Sequence, residues 1–288
     1  MSIKLDLHVH TESYGRRFIE AEQLRLSLKR NGLDGVAITN FFDISHALSL
    51  KEALKEYIVI VGQEIMTKDG HIVGLGLKEN IPNCLSVEET ISIIRVQGGL
   101  AVAVHPYLHL GVGEKVVSLP VDAVEVYNAV IGGFFIYNFL AKKMARKMNV
   151  APLASTDTTD GNLIGRSYTE VMTDSSDSIL ETIRSGNVRL FKRAIPIPFG
   201  FIAKGILKCR DLEPWLPHAI PCFICGRSMT VRLFKEKFEC LDCGKTEMSR
   251  IACCNGHYIC MKCIINRGEK RDDVLKYGDN SNAMEVDT

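Results

Sequence analysis

Six residues have the types and the spacing to do chemistry together. His8 and His10 close the stretch Met1-Ser-Ile-Lys-Leu-Asp-Leu-His-Val-His10, in which Ile3, Leu5, Leu7 and Val9 alternate with Lys4, Asp6, His8 and His10. A period of two predicts a strand, and residues two apart share one face of it. Two imidazoles on one strand face can hold a single metal ion without distorting the backbone. Glu64, His105 and Asp157 each stand at or just beyond the end of a later apolar run, and His71 opens one. Four imidazoles and two carboxylates suit two divalent ions of the Zn, Mn or Fe kind. A carboxylate bridging two ions about 3.5–4 Å apart would let them share a hydroxide nucleophile.

A second set is built of thiols. Of ten cysteines, nine lie from Cys209 onward. Most fall in pairs: Cys222-x-x-Cys225, Cys240-x-x-Cys243, Cys254-x-x-His257 and Cys260-x-x-Cys263, the first two each followed by Gly. This predicts two structural zinc sites, one of four thiolates and one of three thiolates and an imidazole. Sequential and crossed pairing of the knuckles are both open, and Cys253 is a spare beside Cys254. A core this small needs its metal to fold. The segment resembles the zinc-ribbon-like modules appended to prokaryotic enzymes.

The elements that position the first set alternate along the chain. Strands are predicted at 3–9, 34–39, 57–61, 71–75, 100–104, 121–126, 151–156 and 168–172. Helices are predicted near 19–31, 45–56, 86–98, 134–148 and 176–185, the third opened by a Ser86/Glu89 capping box. The strands are mostly apolar on both faces, which predicts a mainly parallel sheet covered by helices. Polar residues at the C-terminal ends of successive strands favour a barrel over an open sheet. Gly111-Val-Gly113 matches neither nucleotide-binding fingerprint.

With Lys+Arg 35 against Asp+Glu 34, no global basic field points to nucleic acid, so such a contact needs a local patch. The longest apolar run, 130–141, is too short to span a bilayer. The N-terminus enters a strand directly, and the clustered Cys-x-x-Cys pairs suit a reducing compartment, so the expectation is a cytoplasmic protein with no membrane contact. The domain plan is a barrel over 1–195, a Pro-rich strap over 196–221 with the single Trp215, a two-zinc Cys/His module over 222–268, and a disordered tail over 269–288. Arg227, Arg232, Lys235, Lys237, Lys245 and Arg250, interleaved with Phe234 and Phe238, make a candidate nucleic-acid or protein contact in the module.

From Asp6 to about Arg193 the chain resembles the polymerase and histidinol phosphatase (PHP) family of metal-dependent phosphoesterases. The matching stretches are Asp6-Leu-His-Val-His-Thr11, Gly32-Leu-Asp-Gly-Val-Ala-Ile-Thr39, Gly62-Gln-Glu64, Gly70-His-Ile-Val-Gly-Leu75, Ala103-Val-His-Pro106, Val124-Glu-Val-Tyr-Asn128, and Thr156-Asp157 followed by Gly165-Arg-Ser-Tyr-Thr169. The resemblance implies a distorted seven-stranded (β/α) barrel. It also implies three metals, and here the sequence departs: Tyr14, Phe41 and Thr159 stand where ligands of one site are customary. The two remaining sites would be His8, His10, Glu64 and Asp157 for one ion, and Glu64, His71 and His105 for the other, with Glu64 bridging.

Two readings follow. One is a binuclear phosphoesterase, in which a hydroxide shared by the metals attacks phosphorus. Its catalytic residues would be Glu64, Asp157 and Arg166, the last (with Arg16 or Arg17 as lesser candidates) clamping phosphate in place of the third metal. Its substrate would be a small phosphorylated metabolite, a nucleotide or an oligonucleotide end. The other is a degenerate barrel that serves as a metal-, ligand- or nucleic-acid-binding scaffold. Glu125 and Asn128 read chiefly as structural, and His46 and His109 as solvated.

Overall fold

The computed structural model describes residues 2–13, 16–17, 19–108, 110–131, 135–195, 229–253, 256–260 and 263. The chain divides into two units, Met1–Ile220 and Pro221–Thr288.

The first unit holds nine strands in one sheet: β1 Ile3–Val9, β2 Gly35–Ile38, β3 Ile58–Met66, β4 His71–Leu75, β5 Leu100–Ala103, β6 Ala123–Asn128, β7 Ala151–Ser155, β8 Tyr168–Val171 and β9 Val188–Phe191. Their order is β9-β8-β1-β2-β3-β4-β5-β6-β7. The helices are α1 Ala21–Asn31, α2 Ser45–Ala53, α3 Val87–Val96, α4 Phe135–Met148 and α5 Ile179–Arg184. The Ser86/Glu89 capping box opens α3 as predicted. The sheet curls until β7 meets β1 just beyond its end: Asp157 N–H donates to His8 O at 2.8 Å and His10 N–H to Thr158 O at 3.0 Å. This is a nearly closed mixed α/β barrel. Seven strands, β1 to β7, run round it, and the β8–β9 hairpin adds two more on the far side of β1.

The sheet is not mainly parallel. Four pairings are parallel and four, β3–β4, β4–β5, β1–β8 and β8–β9, are antiparallel. The reason is local. No helix separates β3 from β4. A tight turn at Thr67–Gly70 does, with Gly70 at φ +138 where a side chain would strike the Gly111 backbone.

One apolar cluster, from Leu5 and Leu7 of β1 through Leu75, Val102 and Leu153 to Ile183 of α5, fills the barrel interior. Two others lie under α1 and α2, and under α3 and α4. The strict alternation read in β1 is broken. Its register against β2 shifts between Asp6 and Val9, so Val9 packs with the cluster under α1 and α2 and not with Leu5 and Leu7. The bulge also parts Asp6 from the two histidines. The buried Asp6 carboxylate instead ties the closing seam. It accepts Thr156 N–H at 3.0 Å, Thr156 Oγ1–H at 2.5 Å and Gly165 N–H at 2.9 Å. Burial pushes its pKa up to about 6 despite those donors.

In the second unit, β10 Met229–Glu239 and β11 Thr246–Cys253 form an antiparallel hairpin. No helix among the described residues is long and apolar enough to cross a membrane.

Candidate metal centre

All six residues singled out at the strand ends come to one end of the barrel, and all are buried. His8 lies near the end of β1 and His10 just beyond it, His105 follows β5, and Asp157 follows β7. β3 runs further than predicted, so Glu64 lies within it. His71 opens its strand rather than ending it, and the antiparallel turn of β4 brings that start to the same end.

Glu64 is the centre of the arrangement. Its Oε2 lies 3.1 Å from His8 Nε2 and 3.0 Å from His10 Nε2. Its Oε1 lies 2.6 Å from His71 Nδ1 and 3.1 Å from His105 Nε2. Asp157 Oδ1 completes the first group, 3.4 Å from both His8 and His10. The donors thus divide into His8, His10, Glu64 and Asp157, and Glu64, His71 and His105. Within each group the ligand atoms lie within 4.8 Å of one another, and Glu64 is common to both.

The electrostatics favour cations between these groups. Glu64, Asp157 and Glu125 are three carboxylates with almost no solvent access, and buried charge demands a counter-charge. Burial opposes charging His8, yet Asp157, Glu64 and Glu125 overcome it and raise its pKa well above the ordinary value. His10 and His105 are raised in the same way. Burial alone would push Glu64 up, but His71 and His8 hold it well below the usual carboxylate range. In donor chemistry, spacing and charge, the residues present fit two divalent ions.

An outer layer holds the inner one. His8 Nδ1 faces Glu125 Oε1 at 3.1 Å, which leaves Nε2 to face Glu64 and Asp157. A carboxylate behind a ligating imidazole fixes its tautomer and its orientation. Glu125 also accepts the backbone N–H of His105 at 2.8 Å and the hydroxyl of Ser155. Asn128 donates to Glu125 at 3.1 Å and to Asp157 at 2.8 Å. Its own Oδ1 accepts the Val130 and Ile131 N–H groups, which sets which way the amide points. His105 and Asp157 both have positive φ, +29 and +58. Backbone strain of this kind persists only where surrounding contacts over-determine it.

Phe41, one of the three residues standing in customary ligand positions, is buried and stacked on His10 with ring centroids 4.7 Å apart. It also meets the edge of His71 at 5.7 Å. An apolar ring therefore occupies the space beside the donors. Thr159 is half-buried. Tyr14 lies outside the described residues, as do the side chains of Arg16 and Arg17 and all of His109. His46 is not solvated: it is 3% exposed, and its Nδ1 lies 3.0 Å from Thr11 Oγ1. Helix periodicity on α2 could have shown this, since His46, Ala47 and Leu50 share its buried side. Arg166 donates from Nε to Ala194 O at 2.8 Å and lies beside Tyr127, whose pKa burial raises against the pull of that guanidinium.

In the second unit, Cys240, Cys243, Cys260 and Cys263 converge. The second knuckle therefore partners the fourth, which is the crossed arrangement. Cys240 and Cys243 sit in the turn of the β10–β11 hairpin. Gly244, at φ +69, lets the chain fold back so that its N–H reaches Cys240 O at 2.8 Å. Burial would raise the Cys240 thiol, but N–H groups of Cys260, Cys243 and Asp242 pull it down to about 6, as suits a thiolate ligand. Phe238 stacks on Tyr258 and Lys245 pairs with Glu247, so both are engaged within the unit. Cys222, Cys225, Cys254 and Arg227 lie outside the described residues, as do the side chains of Arg232, Phe234, Lys235 and Arg250. His257 stands apart from the four-cysteine group.

A sequence model described as PHP-associated matches residues 135–188. An uncharacterized protein of Methanocaldococcus jannaschii is 38% identical over 160 residues, which cover 51% of this chain and 94% of that protein. The fold is similar to that of a two-domain protein from Bacteroides vulgatus described as containing a predicted PHP-like metal-dependent phosphoesterase. The TM-score is 0.55 at 15% identity, covering 89% of this chain and 88% of that one. The sequence model and the fold agree on a PHP-type barrel. A second likeness of fold, to PsfC from Pseudomonas syringae, has a TM-score of 0.53 at 15% identity and covers 67% of this chain and 92% of that one.

Proposed function

We propose that the barrel is a binuclear metal-dependent phosphoesterase acting on a small phosphorylated metabolite, a nucleotide or an oligonucleotide end. The observation that carries this reading is the division of Glu64: each carboxylate oxygen faces its own pair of imidazoles. The PHP barrel supports it as a fold. Two divalent ions would supply an activated water and charge neutralisation at phosphorus.

The chain's own groups do the rest. His8, His10, Glu64 and Asp157 hold one ion, and Glu64, His71 and His105 the other. Glu125 and Asn128 position these ligands. Phe41 excludes water from the His10 side and leaves no place for a third ion. Arg166, which has no carboxylate within ion-pairing distance among the described residues, takes a phosphate oxygen that a third metal would otherwise neutralise. The four-cysteine group holds a structural zinc, and the remaining knuckles a second.

After loading with Mn or Zn, the protein is expected to turn over p-nitrophenyl phosphate or bis(p-nitrophenyl) phosphate and to leave p-nitrophenyl acetate nearly untouched. Turnover of the carboxyl ester alone would refute phosphoester specificity, and no turnover at all would favour the scaffold. Glu125→Gln is expected to weaken metal binding by about 10–100-fold while the fold persists, as read by competition with a chelating dye. An unchanged affinity would mean that Glu125 does not position His8.

A further inference from the structure

The first unit carries a second polar feature on the outer flank of the barrel, away from the buried donors. A cleft of about 370 Å³ opens between the C-terminal half of α4, the outer faces of β6 and β7, and the end of β9. Its floor is aliphatic: Val126, Ala145, Pro152 and Leu190. Pro152 has no N–H to give, and is tolerated because β7 is an edge strand. Its rim is cationic. Lys142 and Arg146 stand one turn apart on α4, Lys192 faces them from beyond β9, and Asn149 adds an amide. None of the lining residues is acidic.

This clustering works against the fold. Like charges four residues apart on a helix destabilise it. The C-terminal dipole of α4 accounts for Arg146, but not for Lys192 brought against it from another element. Partial desolvation, with Lys142 and Arg146 close by, lowers the Lys192 pKa below its ordinary value. None of the three cations is within ion-pairing distance of a carboxylate among the described residues. Three converging cations, all solvent-exposed, over an apolar floor in a cleft of ligand size suit an anion with an organic body.

We propose that this cleft is a binding site for a small phosphorylated organic anion of the nucleoside phosphate class. The phosphate lies on Lys142, Arg146 and Lys192, and the body rests on the aliphatic floor beside the Asn149 amide. The site is distinct from the metal centre and does not depend on the barrel's being a phosphoesterase. It stands back to back with that centre, because Val126 in the floor directly follows Glu125.

The test is calorimetric titration of the full chain with AMP, and separately with inorganic phosphate. AMP is expected to bind with a dissociation constant of about 1 mM or tighter, and more tightly than phosphate. In the triple variant Lys142→Gln, Arg146→Gln, Lys192→Gln that affinity is expected to fall at least about tenfold, a loss of about 1.4 kcal/mol, with an unchanged circular dichroism spectrum. Lys192→Glu is expected to raise Tm by relieving the repulsion while abolishing AMP binding, a pairing that a merely solvated surface would not produce. AMP binding that persists in both variants, or no saturable AMP binding by the wild-type chain, would overturn the proposal. Equal affinity for AMP and phosphate would overturn the assignment of an organic ligand.

Discussion

Glu64→Gln is expected to strip both ions from the barrel at once, lowering the metal content of the purified chain by about two equivalents while the zinc of the cysteine module remains. Among the described residues Glu64 is the ligand common to both groups: Oε1 meets His71 and His105, and Oε2 meets His8 and His10. The amide keeps the shape, but it loses the charge and half of the accepting capacity. Activity on phosphate esters is expected to fall by more than about 10³-fold, the upper end of what removing one charge-stabilising group costs. Elemental analysis of wild type and variant side by side decides it. A metal-loaded Glu64→Gln protein would refute the shared-carboxylate arrangement, and the loss of one equivalent alone would show that Glu64 serves a single ion.

The second large effect is on stability. Without cations, the buried carboxylates Glu64, Asp157 and Glu125 are balanced only by protons on imidazoles that burial itself disfavours. An ion present at 1,000 times its dissociation constant stabilises by about 4.1 kcal/mol, so two contribute about 8. At about 2–4 °C per kcal/mol for a domain of this size, chelation is expected to lower the Tm of the barrel by roughly 15–30 °C. Because a chelator also reaches the cysteine module, Glu64→Gln is the reference. It should lose the barrel's response and keep the module's. Identical responses in the two proteins would show that the barrel owes no stability to metal.

What the sequence determined by itself is what spacing encodes. Alternation near the N-terminus placed His8 and His10 on one strand face, because side chains in a strand repeat every two residues. Ser86 with Glu89 marked the start of α3, because a capping box closes within one turn. The Cys240-x-x-Cys243-Gly pair marked a candidate metal knuckle, because two thiols and a left-handed glycine fit one tight turn. The order of motifs carried the resemblance to the PHP family, and with it the division of ligands around Glu64.

What only the tertiary structure decided is which elements become neighbours. His71 reaches the mouth from the start of a strand because β4 runs backwards, and periodicity does not report strand direction. A bulge sends Asp6 to the seam, since one extra residue in a ladder breaks the alternation without a trace in composition. Glu125 stands behind His8 although 117 residues separate them. His46 is buried because its side of α2 packs inward. The crossed partnership of Cys240 and Cys243 with Cys260 and Cys263, and the meeting of Lys192 with Lys142 and Arg146, are long-range contacts of the same kind. Local spacing sets the direction of a side chain, and the closing of the sheet sets what that side chain meets.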